Sequence, residues 1–160
     1  MFKSKEFKYA MVIYLIFSIA SLRGNINIVL ANIKDSFPNE PITMIQLCSS
    51  ILSFVAIPVC LLVGPANTIM SKKRIILIGL ILSAIGGVGA YFGANSLILL
   101  IGAGAIVGIG FNFFQPAANA LVSELFEGEQ RTKVAGRKVI VQSVLGIGIA
   151  LFSGYLVLIS

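Results

Sequence analysis

The sequence predicts an all-α, polytopic membrane helix bundle of about five spans. Three observations predict it. The 160-residue chain is 58% hydrophobic and only 11% charged, whereas a soluble domain carries about 25% charged residues. Its apolar residues fall in long runs, each close to the ~20 residues a helix needs to cross the hydrocarbon core. Its cations gather between those runs. So much apolar surface cannot be hidden from water in a soluble fold of this size, whereas a bilayer core is itself apolar. Helices follow because every backbone N–H and C=O must be paired within the span. The runs are also too long and continuous for barrel strands.

The first apolar segment runs from about Tyr9 to Ile33. Lys3, Lys5 and Lys8 before it, with Ser18-Ile19-Ala20 inside it, have the form of a signal peptide. Apolar residues continue through Ile26, Ile28, Val29, Leu30 and Ile33, which favours an uncleaved first span. The second segment covers about 43–64, the third 75–93, the fourth 97–122 and the fifth 139–159. Their connections differ. KDSFPNEP (34–41) is polar with two prolines, GANS (93–96) is a tight uncharged turn, and ELFEGEQRTKVAGRK (124–138) is longer and mixed in charge. No linker, low-complexity stretch or repeat divides the chain, so residues 1–160 are expected to form a single transmembrane domain.

The charges give an orientation. Lys3, Lys5 and Lys8, then Lys72, Lys73 and Arg74, then Arg131, Lys133, Arg137 and Lys138 all fall on one side. The other side has only Lys34, and Arg23 lies within the first span. Lys and Arg in short loops stay cytoplasmic. The expectation is a cytoplasmic (inner) membrane protein with its amino terminus inside and Ser160 outside. A net charge of +6 can mark a nucleic-acid partner, but these cations sit at the ends of apolar runs rather than along one face. The partner expected is the lipid bilayer, with no nucleic acid. Cys48 and Cys60 are twelve positions apart in one helical run, ~18 Å, too far for a disulfide. With no histidine and no Cys/His cluster, the sequence offers no zinc site, and no metal or cofactor is expected. No acidic residue lies in any span, so no catalytic acid/base pair is available at depth and the chain does not read as an enzyme.

GPANTIMSKKR (64–74) carries the most specific pattern. Gly64 is followed eight and nine positions on by Lys72 and Lys73. This resembles the loop between the second and third spans of the major facilitator superfamily, G-x-x-x-D-x-x-G-[RK]-[RK]. Thr68 stands where the family has aspartate, and Ser71 where it has the second glycine. Arg131 in EGEQRTKVAG (127–136) resembles the basic connection after the fourth span, and SVLGIGIALFSGYL (143–156) resembles the glycine-rich fifth span. The family's antiporters carry Gly-Pro where this chain has Ile149-Ala150. Gly64 and Pro65 are expected to end the second span abruptly and force a tight turn. In the family the aspartate helps hold one side of the transporter closed; Thr68 can hydrogen bond but cannot form an ion pair. The plain alternative is a loop kept inside by its charge.

A charge at the centre of a span costs ~2.5–3.5 kcal/mol on insertion scales, which singles out Arg23. Asn27 lies one turn further on the same face. In the fourth span, Asn112, Gln115 and Asn119 recur at three- and four-residue spacing, so they share a helix face. The resemblance implies that the first and fourth spans line a common cavity. It thereby groups Arg23, Asn27, Asn112, Gln115 and Asn119 as candidate contacts to a small-molecule solute, anionic or polar. Arg23 can instead snorkel or meet a backbone carbonyl, and the amides can instead bond between helices. Pro116 frees a backbone carbonyl in the fourth span. Gly104 and Gly108 form a small-xxx-small pair that lets helices approach.

The resemblance covers nearly all of the chain but only the front of a pattern of about twelve spans in two halves. The reading is therefore transport of a small solute by alternating access through a midplane cavity. The alternative is a truncated or split five-span fragment, inactive alone or serving as an interaction subunit. In either case the missing half, or another membrane subunit, is an expected partner.

Overall fold

The structure is a computed structural model that describes residues 4–21 and 33–159. Among the described residues it is almost wholly α-helical and has no strand. Helix α1 is Ser4–Ala20, α2 Ile42–Phe54, α3 Ala56–Ile69, α4 Lys72–Phe92, α5 Leu97–Leu125 and α6 Gly128–Ile159. Among the described residues, four stretches are long and apolar enough to cross a membrane: Ile42–Ile69, Lys72–Phe92, Leu97–Leu125 and Gly128–Phe152. Tyr9–Ala20 is a shorter apolar helix. The rest of the expected first span, residues 22–32, lies outside the described residues.

One helix limit differs from that expected. Gly64 and Pro65 do not end the second span; α3 passes through both to Ile69. Proline lacks an N–H, so the Leu61 carbonyl loses its donor, but one missing bond does not stop a helix whose apolar neighbours continue to Ile69. The stop comes at Met70, whose φ/ψ of −115°/147° is extended. The charged connection 124–138 is mostly helix, because α6 begins at Gly128. Its Glu, Gln, Arg, Lys and Ala residues are good helix formers. Charge there marks where apolar character stops, not where the helix starts. Gly128 has φ +54°, a left-handed conformation that glycine adopts without the Cβ clash of other residues.

A break at Val55 separates α2 from α3. Pro58 has no N–H to offer the Phe54 carbonyl four residues back, which accounts for it. Val55 itself still donates to Ile51 O at 3.0 Å.

The chain divides into two compact units, residues 29–117 and residues 1–28 with 118–160; the division falls within α5. In the first unit, α5 is seated by small residues on two sides. A Cβ added to Gly108 would lie 3.0 Å from Leu52 Cα, and one on Gly104 would lie 3.3 Å from Ile51 Cγ2. On another side, a Cβ on Gly79 would fall 2.7 Å from Gly110 O, and one on Gly86 would fall 2.6 Å from Val107 Cγ2. Close backbone approach of this kind replaces the hydrophobic driving force that lipid cannot supply. Ile45, Cys48 and Leu97 form a buried cluster, with Ile33, Phe37 and Ile101 packed against it. In the second unit, Ala10, Ile13, Phe17 and Ala20 recur at helical spacing and are all buried; α1 packs on α6.

Candidate functional site

Helix α5 carries three of the four amides of the expected site, in unlike surroundings. Asn112 is 6% exposed. Its Nδ2 donates to Gly108 O at 2.8 Å, one turn back, and to Leu52 O of α2 at 3.2 Å. Both amide hydrogens are thus directed at backbone carbonyls, and the second bond joins two helices just where Gly108 lets them touch. Pro116 withholds the N–H that Asn112 O would receive in a regular helix, so Asn112 lies at the point where the α5 backbone is least self-sufficient. Gln115, three residues on, is half-buried, and Asn119 is exposed. Phe111 and Phe114 are buried and pack ring on ring, with centroids 5.3 Å apart; their role is packing. Arg23 and Asn27 lie outside the described residues.

Asn119 belongs to a cluster that the charge pattern did not single out. Lys138 Nζ, eleven residues into α6, donates to Asn119 Oδ1 at 2.7 Å. The same ammonium lies 4.2 Å from the centroid of the Phe17 ring of α1, whose side chain is 1% exposed. Lysine has no acceptor, so the amide must turn its oxygen toward it and its NH2 away. One turn before Phe17, the Tyr14 hydroxyl is buried and has no hydrogen-bond partner among the described residues. Sequence reasoning counted Lys138 only among the cations that set orientation. Its signal was positional: it shares a helix face with Val134 and Val141, and Val134 is wholly buried.

The GPANTIMSKKR stretch folds as a helix end, a two-residue turn and a helix start. Gly64 is helical and exposed, with open space where a Cβ would be. Thr68 Oγ1 donates to Pro65 O at 2.7 Å, so the hydroxyl is turned back on its own helix. Met70 N donates to Ala66 O at 2.8 Å, closing α3. Ser71 precedes α4 and makes no side-chain cap; its carbonyl accepts from Arg74 N at 2.9 Å. Lys72, Lys73 and Arg74 form the first turn of α4. Cations at a helix amino terminus oppose the macrodipole by ~0.3–1 kcal/mol each, so helix stability does not explain them. Arg131 is exposed in the first turn of α6, close to the ion pair of Lys133 and Glu129 at 2.8 Å.

The side chains offered here are amides, hydroxyls and cations. They can bind and orient a polar or negatively charged molecule. Against known proteins, the model of the Major Facilitator Superfamily matches residues 10–160. No curated protein and no solved structure matches the chain.

Proposed function

The chain belongs to the major facilitator superfamily, a family of membrane transporters, and from that premise we propose that it helps move a small solute across the membrane by alternating access. The match over residues 10–160 carries the reading, and the α5 amides give it a chemistry. An amide in lipid lacks partners, so Gln115 is better accommodated on a wetted cavity wall, and Asn119, bonded to Lys138, lies one turn along it. Asn112, with both amide hydrogens directed at carbonyls, fixes α5 against α2 at the edge of that wall. Arg23, with Asn27 four residues on in sequence, is the candidate cation for an anionic or polar solute.

In this reading the amino terminus is cytoplasmic and Ser160 is outside, in the cytoplasmic membrane. Gly64, Thr68, Ser71, Lys72, Lys73 and Arg131 then lie at the inner surface. The attraction of an anionic leaflet, about 1 kcal/mol per Lys or Arg, outweighs the unfavourable dipole term at the start of α4. With its hydroxyl turned back to Pro65, Thr68 serves the helix end rather than an ionic latch. Rocking about a central site needs a second repeat, supplied by another membrane-embedded segment facing these helices.

The test is a thermal-shift screen of small anions and polar metabolites on the natural protein in detergent, then uptake of the hits into proteoliposomes. Gln115→Ala and Arg23→Ala should each raise the half-saturating solute concentration by about tenfold, the scale of one lost hydrogen bond to a charged or polar ligand. Uptake with unchanged half-saturation in both variants would remove this site. Failure of the reconstituted protein to move any hit would remove the transport reading.

A further inference from the structure

We propose that Lys138, positioned by Asn119 and Phe17, is an anion-binding point on this chain that takes a single carboxylate or phosphate group. Its assignment as a solute contact rests on the transport reading above; its existence as an anion site does not.

Lys138 is half-buried, and no carboxylate pairs with it among the described residues. Lys133, five residues earlier, contrasts with it, because that ammonium is paired with Glu129. The two groups that hold Lys138 are both neutral. The Asn119 carbonyl oxygen accepts one of its three hydrogens at 2.7 Å, and the Phe17 ring faces it at 4.2 Å. Such contacts orient a cation and offset part of its desolvation, but they leave its full charge without a counter-charge. An anion that reaches the ammonium supplies the counter-charge and accepts the hydrogens that remain.

The Tyr14 hydroxyl, buried and unpartnered among the described residues, sits one turn from Phe17 on the same face of α1. An ammonium held only by a neutral amide oxygen and a ring suits a ligand that only accepts, such as a carboxylate or phosphate. It does not suit a cationic or purely apolar one.

The test reads binding, not transport, so its outcome is separable from that of the transport reading. The natural protein is unfolded thermally in neutral detergent across titrations of acetate and of inorganic phosphate, at constant ionic strength. In parallel it is unfolded in nanodiscs of phosphatidylcholine with and without phosphatidylglycerol. Stabilisation by the free anions assigns the site to a solute; stabilisation only by phosphatidylglycerol assigns it to a lipid headgroup. In either case Lys138→Gln, which keeps a hydrogen-bonding end near Asn119 but removes the charge, should weaken the response by about tenfold or more, while Lys133→Gln leaves it unchanged. If Lys138→Gln does not fold, Asn119→Asp serves instead, since a carboxylate beside the ammonium should abolish the anion response. An anion response that persists unchanged in Lys138→Gln or Asn119→Asp, or no response by the wild-type protein in either setting, overturns the proposal.

Discussion

Lys138 of α6 and Asn119 of α5 meet through a 2.7 Å hydrogen bond that ties the two helices across the turn at residues 126–127. The bond joins a residue read from the sequence as an orientation charge to one read as a cavity amide. A lysine that only counted toward topology would be free to extend into water. This one is held instead by a neutral amide and a ring, and the contrast with the Glu129–Lys133 pair gives the distinction an energetic scale. That pair is exposed, with side chains 82% and 56% accessible, and exposed i, i+4 pairs contribute ~0.3–0.5 kcal/mol. Glu129→Gln should therefore change stability by no more than about that amount, measured by unfolding in mixed micelles.

Asn112→Ala should be costlier. It removes two hydrogen bonds and leaves the Leu52 carbonyl without its donor from α5. Single interhelical hydrogen bonds in membrane proteins average ~0.6 kcal/mol. A buried group left without its partner costs more, ~1–3 kcal/mol. The expected loss is about 1–2 kcal/mol by reversible unfolding in mixed micelles. Asn112→Asp should keep at most one of the two bonds, because burial favours the protonated carboxyl, which has a single O–H to donate.

The glycines separate into three kinds, and alanine scanning tells them apart. At Gly79 and Gly110 an added Cβ meets backbone or near-backbone atoms of the facing helix, so Gly→Ala should cost ~1–3 kcal/mol through overpacking. At Gly87 and Gly102 nothing lies within 4 Å; alanine should be neutral or should stabilise by up to ~1 kcal/mol through helix propensity. Gly128 has open space but φ +54°, so alanine there should cost ~1 kcal/mol from the backbone alone. Thermal midpoints of the five single variants check all three expectations.

The contrast between these glycines shows what the sequence could and could not reveal. Small-residue spacing at Gly104 and Gly108 was enough to predict close helix approach, because α5 presents both on one face. It could not say that Gly108 meets Leu52, since the partner of a face is set by packing between helices far apart in sequence. The apolar runs announced the helices because lipid exposure and helix formation require the same residues. The end of α3 was misplaced because Gly64 and Pro65 read as a stop, whereas a proline removes one backbone bond and the apolar residues carry the helix on to Ile69. Asn112, Gln115 and Asn119 were legible as residues of one helix, α5. That Asn112 would turn to a backbone and Asn119 to a lysine was not, because an amide serves either partner equally well.

The basic turn at 71–74 yields the last prediction. Lys72, Lys73 and Arg74 occupy the first turn of α4, where the helix dipole repels cations. Replacing all three with glutamine should stabilise that turn locally by a few tenths of a kcal/mol per residue. The same change removes about 1 kcal/mol per charge of attraction to an anionic leaflet, and with it the bias that keeps the turn inside. The two effects have opposite sign, so one triple variant separates them. In a Cys48→Ala/Cys60→Ala background, Ser71→Cys should be protected from a membrane-impermeant maleimide in intact cells and labelled only after lysis. In the triple glutamine variant, a measurable fraction should become labelled from outside while the helix itself stays at least as stable. Labelling of Ser71→Cys from outside with all three cations present would reverse the proposed orientation, and protection unchanged by their loss would show that other segments hold it.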